Sequence, residues 1–148
     1  MKRVALLLCV GILVVTPAFG QFHASLSVDV PFDFYIGDTA VTRGSYLIYH
    51  SIFSNTMFRI VRADDPTVSR FVMAMIRPDR AGSGEDSKLI FLKYDNDHTF
   101  LKSFDRAGAF GIALQKSRTE REHVTSKVVN YVAASAEPKT VVVTARAM

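Results

Sequence analysis

Histidine serves both metal centres and acid–base catalysis, and the chain has four: His23, His50, His98 and His123. Two ligands on one helix face need i, i+4 spacing and two on one strand face need i, i+2, and none of the four stands at either spacing. His98 closes the run Asp95-Asn96-Asp97-His98, which could crowd oxygens around a cation but offers too few ligands for a calcium loop. No metal or cofactor is expected. Nucleophilic chemistry is no better served, because Gly82-Ser83-Gly84 is not a G-x-S-x-G elbow and reads as a flexible loop. The carboxylate pairs Asp64-Asp65 and Glu85-Asp86 fall in turns, where water holds them ionised and unsuited to proton transfer. One acid–base pair stays open as an alternative, Asp33 with His50, if the fold brings them together across neighbouring strands.

The most site-like segment is Lys116-Ser117-Arg118-Thr119-Glu120-Arg121. A helix start presents free amides and a favourable dipole to an anion, and Lys116, Ser117, Arg118 and Arg121 surround it. The same residues form a capping box, in which Ser117 accepts from the amide of Glu120 and the glutamate reaches back to close the turn. The two readings compete for the same amides.

These residues must be positioned by strands. Leu26, Val28, Val30, Phe32, Phe34 and Ile36 alternate with Ser27, Asp29, Pro31, Asp33 and Tyr35, the period-two pattern of one long half-buried strand. Pro31 cannot donate to a ladder, so this strand must lie at an edge, bend or bulge there. Asp29 and Asp33 are expected to face water. Further strands are expected over Tyr46–Ser51, Met57–Arg62, Arg70–Arg77, Leu89–Tyr94, Thr99–Phe104 and Thr140–Ala145, with turns between them at Ser54-Asn55 and Asp64-Asp65-Pro66 and a long polar loop from Pro78 to Ser87. From Ser117 the period becomes helical: Val124, Val128, Tyr131 and Val132 make a narrow apolar stripe, and Lys127 to Ala134 suits helix or strand. The expected fold is all-β, an antiparallel meander of about seven strands forming a barrel or sandwich, with one late helix packed on it.

The first twenty residues have a different character. Met1-Lys2-Arg3 is basic, Val4 to Thr16 is apolar, and Pro17-Ala18-Phe19-Gly20 ends in a small-x-small site, the pattern of a secretory signal. The run is shorter than the roughly 20 apolar residues a bilayer span requires. Residues 1–20 are thus read as a signal peptide and 21–148 as a single β-rich domain, exported to the periplasm or the extracellular space without a transmembrane anchor after cleavage. The only cysteine, Cys9, lies in that leader, so the mature domain has neither disulfide nor thiol and depends on apolar packing. Removing Lys2 and Arg3 leaves sixteen basic against fourteen acidic residues, a net charge of +2, which gives no support for a nucleic-acid partner. Ten of the eleven phenylalanines remain to build a core. Strands shorter than the 9–11 residues of membrane barrels favour a domain in water.

The pieces Val30-Pro31-Phe32-Asp33-Phe34 with Gly37, Gly44-Ser45-Tyr46, Lys88-Leu89-Ile90-Phe91 and the Lys116–Arg121 helix start, behind a signal peptide, resemble a group of small secreted bacterial proteins of unknown function. Those proteins usually carry Leu-Pro-Ala-Gly where this chain has Val41-Thr42-Arg43-Gly44. The resemblance implies secretion and a β-rich fold, and brings no activity or site residue. The function expected from the residues is binding by a non-enzymatic exported domain, of a small hydrophobic ligand in a curled sheet or of an envelope protein. The alternatives are a hydrolase or isomerase using an acid–base pair such as Asp33 and His50, or an envelope scaffold assembling through edge strands.

Overall fold

The computed structural model describes residues 22–81, 86–94, 98–130 and 138–148. Residues 1–21, which include the expected signal peptide, Gly82-Ser83-Gly84-Glu85, Asp95-Asn96-Asp97 and the stretch after Asn130 up to Glu137 lie outside the described residues. The strands are β1 (Phe22–Val30), β2 (Phe34–Ile36), β3 (Thr39–Val41), β4 (Gly44–Ser51), β5 (Met57–Arg62), β6 (Ser69–Ala81), β7 (Ser87–Lys93), β8 (Thr99–Asp105), β9 (Phe110–Leu114) and β10 (Lys139–Ala147). The helix α1 spans Arg118–Asn130, between β9 and β10.

Eight strands close into an antiparallel barrel in the order β1, β4, β5, β6, β9, β8, β7, β10 and back to β1. Closure satisfies the ladder groups that an open sheet would leave at its edges. The barrel is more than the expected meander. Two hairpin runs, β4-β5-β6 and β7-β8-β9, are joined through β6–β9 pairing, and the C-terminal β10 is inserted between β1 and β7. The edge of β8 is shared: Ser103 and Phe104 pair with β9, while Phe100 pairs in parallel with Tyr35 of β2. The short β2–β3 hairpin thus occupies the gap where β8 and β9 part.

The alternation from Leu26 to Ile36 holds residue by residue, with Leu26, Val28, Val30, Phe34 and Ile36 buried and Asp29 and Asp33 exposed. It does not make one strand. Pro31 ends β1, and the chain re-enters as β2 beside a different neighbour. At the loop expected from Pro78 the structure differs too, since β6 continues to Ala81 through a register irregularity between Arg77 and Ala81 that accommodates the proline. The strand β9 has no counterpart in the expected set.

The interior is packed at its middle. Phe91 is fully buried, Phe32 and Phe34 both meet it edge-on at 5.2 Å, and Phe34 meets Tyr46 at 5.4 Å. Edge-to-face pairs of this kind add about 0.5–1.5 kcal/mol beyond their area burial. The Tyr46 hydroxyl donates to the Thr42 carbonyl, and burial raises its pKa. Outside, Arg59, Lys88 and Lys102 alternate with core residues of β5, β7 and β8, while Met57, Phe71, Met73 and Met75 are exposed on β5 and β6; β1, β6 and β10, at 9, 13 and 9 residues, are longer than the short strands expected. Among the described residues no helix is long and apolar enough to cross a membrane.

In its described first turns the helix docks through a polar side chain. Arg118, Arg121 and Glu122 are exposed, Val124 is half-buried, and the buried side chain in the first turns is Glu120. Its carboxylate accepts a 2.7 Å hydrogen bond from the Tyr94 hydroxyl, just past β7. Ser117 caps as expected, its Oγ accepting from the Glu120 amide at 3.1 Å, but the glutamate turns inward to Tyr94 rather than back along the helix. Beyond Val124 the stripe's side chains lie outside the described residues, as does the helix-or-strand question past Asn130.

Candidate functional site

Each mouth of the barrel holds a cavity. The first, of about 210 Å³, lies where β4 ends, β5 begins and β8 turns into β9. Its walls are Leu26, Phe58, Ile76, Phe104 and Ile112 from five strands, with Ala109 from the β8–β9 turn. Three polar residues join that apolar surface, His50 at the end of β4, Asn55 in the β4–β5 turn and Arg106 in the β8–β9 turn. An apolar chamber with a few convergent polar groups is the usual form of a small-molecule site.

Rigid packing sets this geometry. Phe58 and Phe104 stand edge-to-face at 4.7 Å, both buried, and His50 lies against Phe58 at 5.3 Å. Arg106 and Ala109 are held by a tight turn in which the Ala109 amide donates to the Arg106 carbonyl at 3.0 Å. Gly108 occupies the third turn position at a φ of 68°, the left-handed conformation that a type II turn requires there. In the β1–β4 register His23 stands directly opposite His50, a pairing that in-strand spacing rules could not reveal.

The second cavity, of about 660 Å³, lies at the other mouth, where β1 and β7 end and β8 and β10 begin. Phe32 and Val141 form its apolar side, and Asp33, Arg43, Lys93, Thr99 and Lys139 its polar side. Asp33 Oδ1 accepts from the Arg43 amide at 2.8 Å. Asp33 is therefore tied to the start of β4 and His50 lies at its far end, about 20 Å away at roughly 3.3 Å per strand residue. The structure does not bring this acid–base pair together.

The helix start is satisfied from within the chain. The Thr119 amide donates to Asp38 Oδ1 at 2.7 Å and the Glu120 amide to Ser117 Oγ, so the dipole's positive end already faces a carboxylate. Those hydrogen bonds from Thr119 hold the Asp38 carboxyl below its ordinary pKa. Arg118 pairs with Glu122 at 2.6 Å, Arg121 Nε donates to the Ser117 carbonyl at 3.3 Å, and Lys116 is exposed. The sequence-predicted anion residues thus sit together, with Asp38 in the position an external anion would take. Asp64 is also engaged, by Arg62 at 2.6 Å, which lowers its pKa. Asp65 accepts from the amide and hydroxyl of Thr67, and Asp86 is exposed.

A further cluster joins the helix to the barrel. His123 of α1 stacks on His98 at 4.3 Å, His98 stacks on Tyr35 at 5.9 Å, and Tyr94 meets both His123 and Phe100 edge-on. Burial pushes the Tyr94 hydroxyl above its usual pKa, and the bond to Glu120 with its charge pushes it further. Among the described residues, no group of three or more His, Cys, Asp or Glu side chains is arranged to hold a metal ion. The cluster was hidden in the sequence because its members come from β2, the β7–β8 connection and α1. The capping signature at Ser117 pointed to the helix but not to what it packs on.

No family model, curated protein or solved structure matches the chain.

Proposed function

We propose that this chain is an exported, non-enzymatic β-barrel that binds a small ligand through an apolar body and a polar head, in the cavity between the β4–β5 and β8–β9 turns. The observation that carries the reading is that cavity: about 210 Å³, walled by Leu26, Phe58, Ile76, Phe104 and Ile112 and bordered by His50, Asn55 and Arg106. An apolar cavity of about 150 Å³ accepts benzene, so this one suits a single ring or a short acyl chain. Arg106 and His50 favour an acidic head such as a carboxylate. Export rests on the basic, apolar and small-x-small pattern of residues 1–20. Separation of Asp33 and His50 to opposite mouths favours binding over acid–base catalysis.

The test is titration of the mature chain with hexanoate, phenylacetate and the matching alcohols, read by thermal shift and by native mass spectrometry. The expected result is saturable one-to-one binding that Ile112→Phe abolishes by filling the cavity, with Arg106→Ala weakening the acids more than the alcohols. Binding unaffected by Ile112→Phe refutes the reading, as does purification from the native host with no small molecule attached and no response to any probe.

One observation favours a second reading, docking of an envelope protein. Met57, Phe71, Met73 and Met75 stand exposed on the outer faces of β5 and β6, with Met57 opposite Met73 and Arg59 opposite Phe71. Exposed apolar faces of this kind mark interaction surfaces, and Arg59, whose guanidinium lies over the Phe71 ring, suits a partner segment that is apolar with an acidic flank. An acidic amphipathic peptide should bind the wild type and not Met73→Glu, and equal binding to both removes this reading. The scaffold alternative has less support, because barrel closure leaves the three-residue β3 at the end of the strand order.

A further inference from the structure

We infer that the mouth opposite the apolar cavity is a second binding site, which takes the phosphate or carboxylate group of a small organic anion. Along β7 the side chains facing the core are Leu89 and Phe91, and the next in that series is Lys93. Along β10 the series runs back from Ala145 through Val143 and Val141 to Lys139. Two adjacent strands thus end their inward faces in lysine, and both lysines line the 660 Å³ cavity.

The register makes this unfavourable unless something else is present. Lys93 and Lys139 are direct partners in the β7–β10 ladder, and like charges directly opposite each other destabilise a sheet. Any uncharged polar residue would end these strands without that repulsion. Arg43 adds a third cation to the same cavity, where among the described residues the lining carboxylate is that of Asp33, engaged by the Arg43 amide. Among the described residues none of the three cationic side chains forms an ion pair. Thr99, buried and opposite Lys93 on β8, contributes a hydroxyl. An anion placed between the two lysines turns their repulsion into charge-assisted hydrogen bonding. Phe32, half-buried and fixed edge-on against Phe91, and Val141 supply an apolar wall for the organic part of the ligand.

The experiment is calorimetric titration of the mature chain at low ionic strength with phenyl phosphate, benzoate and inorganic phosphate. Comparison variants are Lys93→Gln, Lys139→Gln, Arg106→Ala at the other mouth, and Lys88→Gln on the outer face of β7. Phenyl phosphate should bind about tenfold tighter than inorganic phosphate, and each of Lys93→Gln and Lys139→Gln should weaken it about three- to tenfold. With the first cavity closed by Ile112→Phe, Arg106→Ala and Lys88→Gln should leave it unchanged. In the absence of ligand, Lys93→Gln should unfold at a higher temperature than the wild type, a gain that loss of a purely structural contact would not produce. Phenyl phosphate binding insensitive to both lysine changes overturns the inference. Weakening by Arg106→Ala instead would place the ligand in the first cavity, overturning this site and leaving the apolar-ligand reading intact. Equal affinity for phenyl phosphate and inorganic phosphate overturns the role of Phe32 and Val141.

Discussion

The bond between Tyr94 and Glu120 should carry much of the attachment of the helix, and its removal has a calculable effect. Glu120 is 4% exposed and its carboxylate accepts the Tyr94 hydroxyl at 2.7 Å. A hydrogen bond to a charged group contributes about 1.5–3 kcal/mol, and the half-buried position of Tyr94 places this one near the lower end, at about 1.5–2 kcal/mol. Tyr94→Phe keeps the ring contacts with His123 and Phe100 and removes only the donor, leaving a buried carboxylate without it. For a domain of this size that loss lowers the unfolding midpoint by roughly 5–10 °C. The assay is a double-mutant cycle of Tyr94→Phe and Glu120→Ala by urea unfolding, with amide exchange of residues 118–130 followed in parallel. The double mutant should be more stable than additivity predicts by about 1–2 kcal/mol, and exchange should accelerate in α1 before it does in β4 or β7. Base should have the same effect on the wild type. The folded-state pKa of Tyr94 lies above its ordinary value of 10, so the bond's contribution is complete below that pH and is lost as pH rises toward the folded value. Tyr94→Phe should lack that alkaline loss. Additive effects within about 0.3 kcal/mol, or an unchanged alkaline profile in Tyr94→Phe, would refute the argument.

The remaining predictions concern the first mouth and the helix start. Phe104→Ala removes a buried ring paired with Phe58 and should cost about 3–5 kcal/mol in chemical unfolding while admitting longer ligands; a loss below about 1 kcal/mol would mean that the mouth collapses freely. Gly108→Ala places a Cβ where nothing lies within 4 Å, so its cost is conformational, about 1–2 kcal/mol, and an unchanged urea midpoint would contradict the left-handed turn. Asp38 has a depressed pKa, so its contribution is present above the ordinary value of 3.8 and is lost as pH falls through the folded value; carbon NMR should show its carboxyl titrating below 3.8, with the Thr119 amide moving in step. Titration at 3.8 or above would rule out the cap.

Most of the barrel was legible in the sequence because burial imposes a period of two on most of the strands that line it. Leu26 to Ile36 shows this best, and even there the pattern could not disclose that Pro31 separates two strands with different neighbours. Side-chain alternation reports which face is buried, whereas pairing depends on where the backbone goes next. The strand β9 escaped because Gly111 and Ala113, between Phe110, Ile112 and Leu114, give it no alternation of apolar and polar residues. The place of β10 between β1 and β7 depends on closure, a property of the whole sheet that no local window contains. At the helix the cap was readable and the anchor was not, since an acidic residue in a first turn ordinarily serves the dipole. Tyr94, just past β7, gives the buried Glu120 its partner.

The two cavities lie on either side of the aromatic packing around Phe91, which among the described residues leaves space at both ends of the barrel. A closed barrel of eight strands has an interior just wide enough for side chains to fill, so any space for a ligand must come from what ends each inward series. At the first mouth the series end in apolar groups beside His50, Asn55 and Arg106; at the second they end in paired lysines. Neither ending is required by the fold. A barrel selected for stability alone would finish Lys93 and Lys139 in uncharged polar residues and would fill the space beside Phe104 and Ile112, because packed apolar atoms stabilise and unfilled space does not. Both proposed sites rest on these departures from the stable solution, one at each mouth, on either side of the aromatic packing.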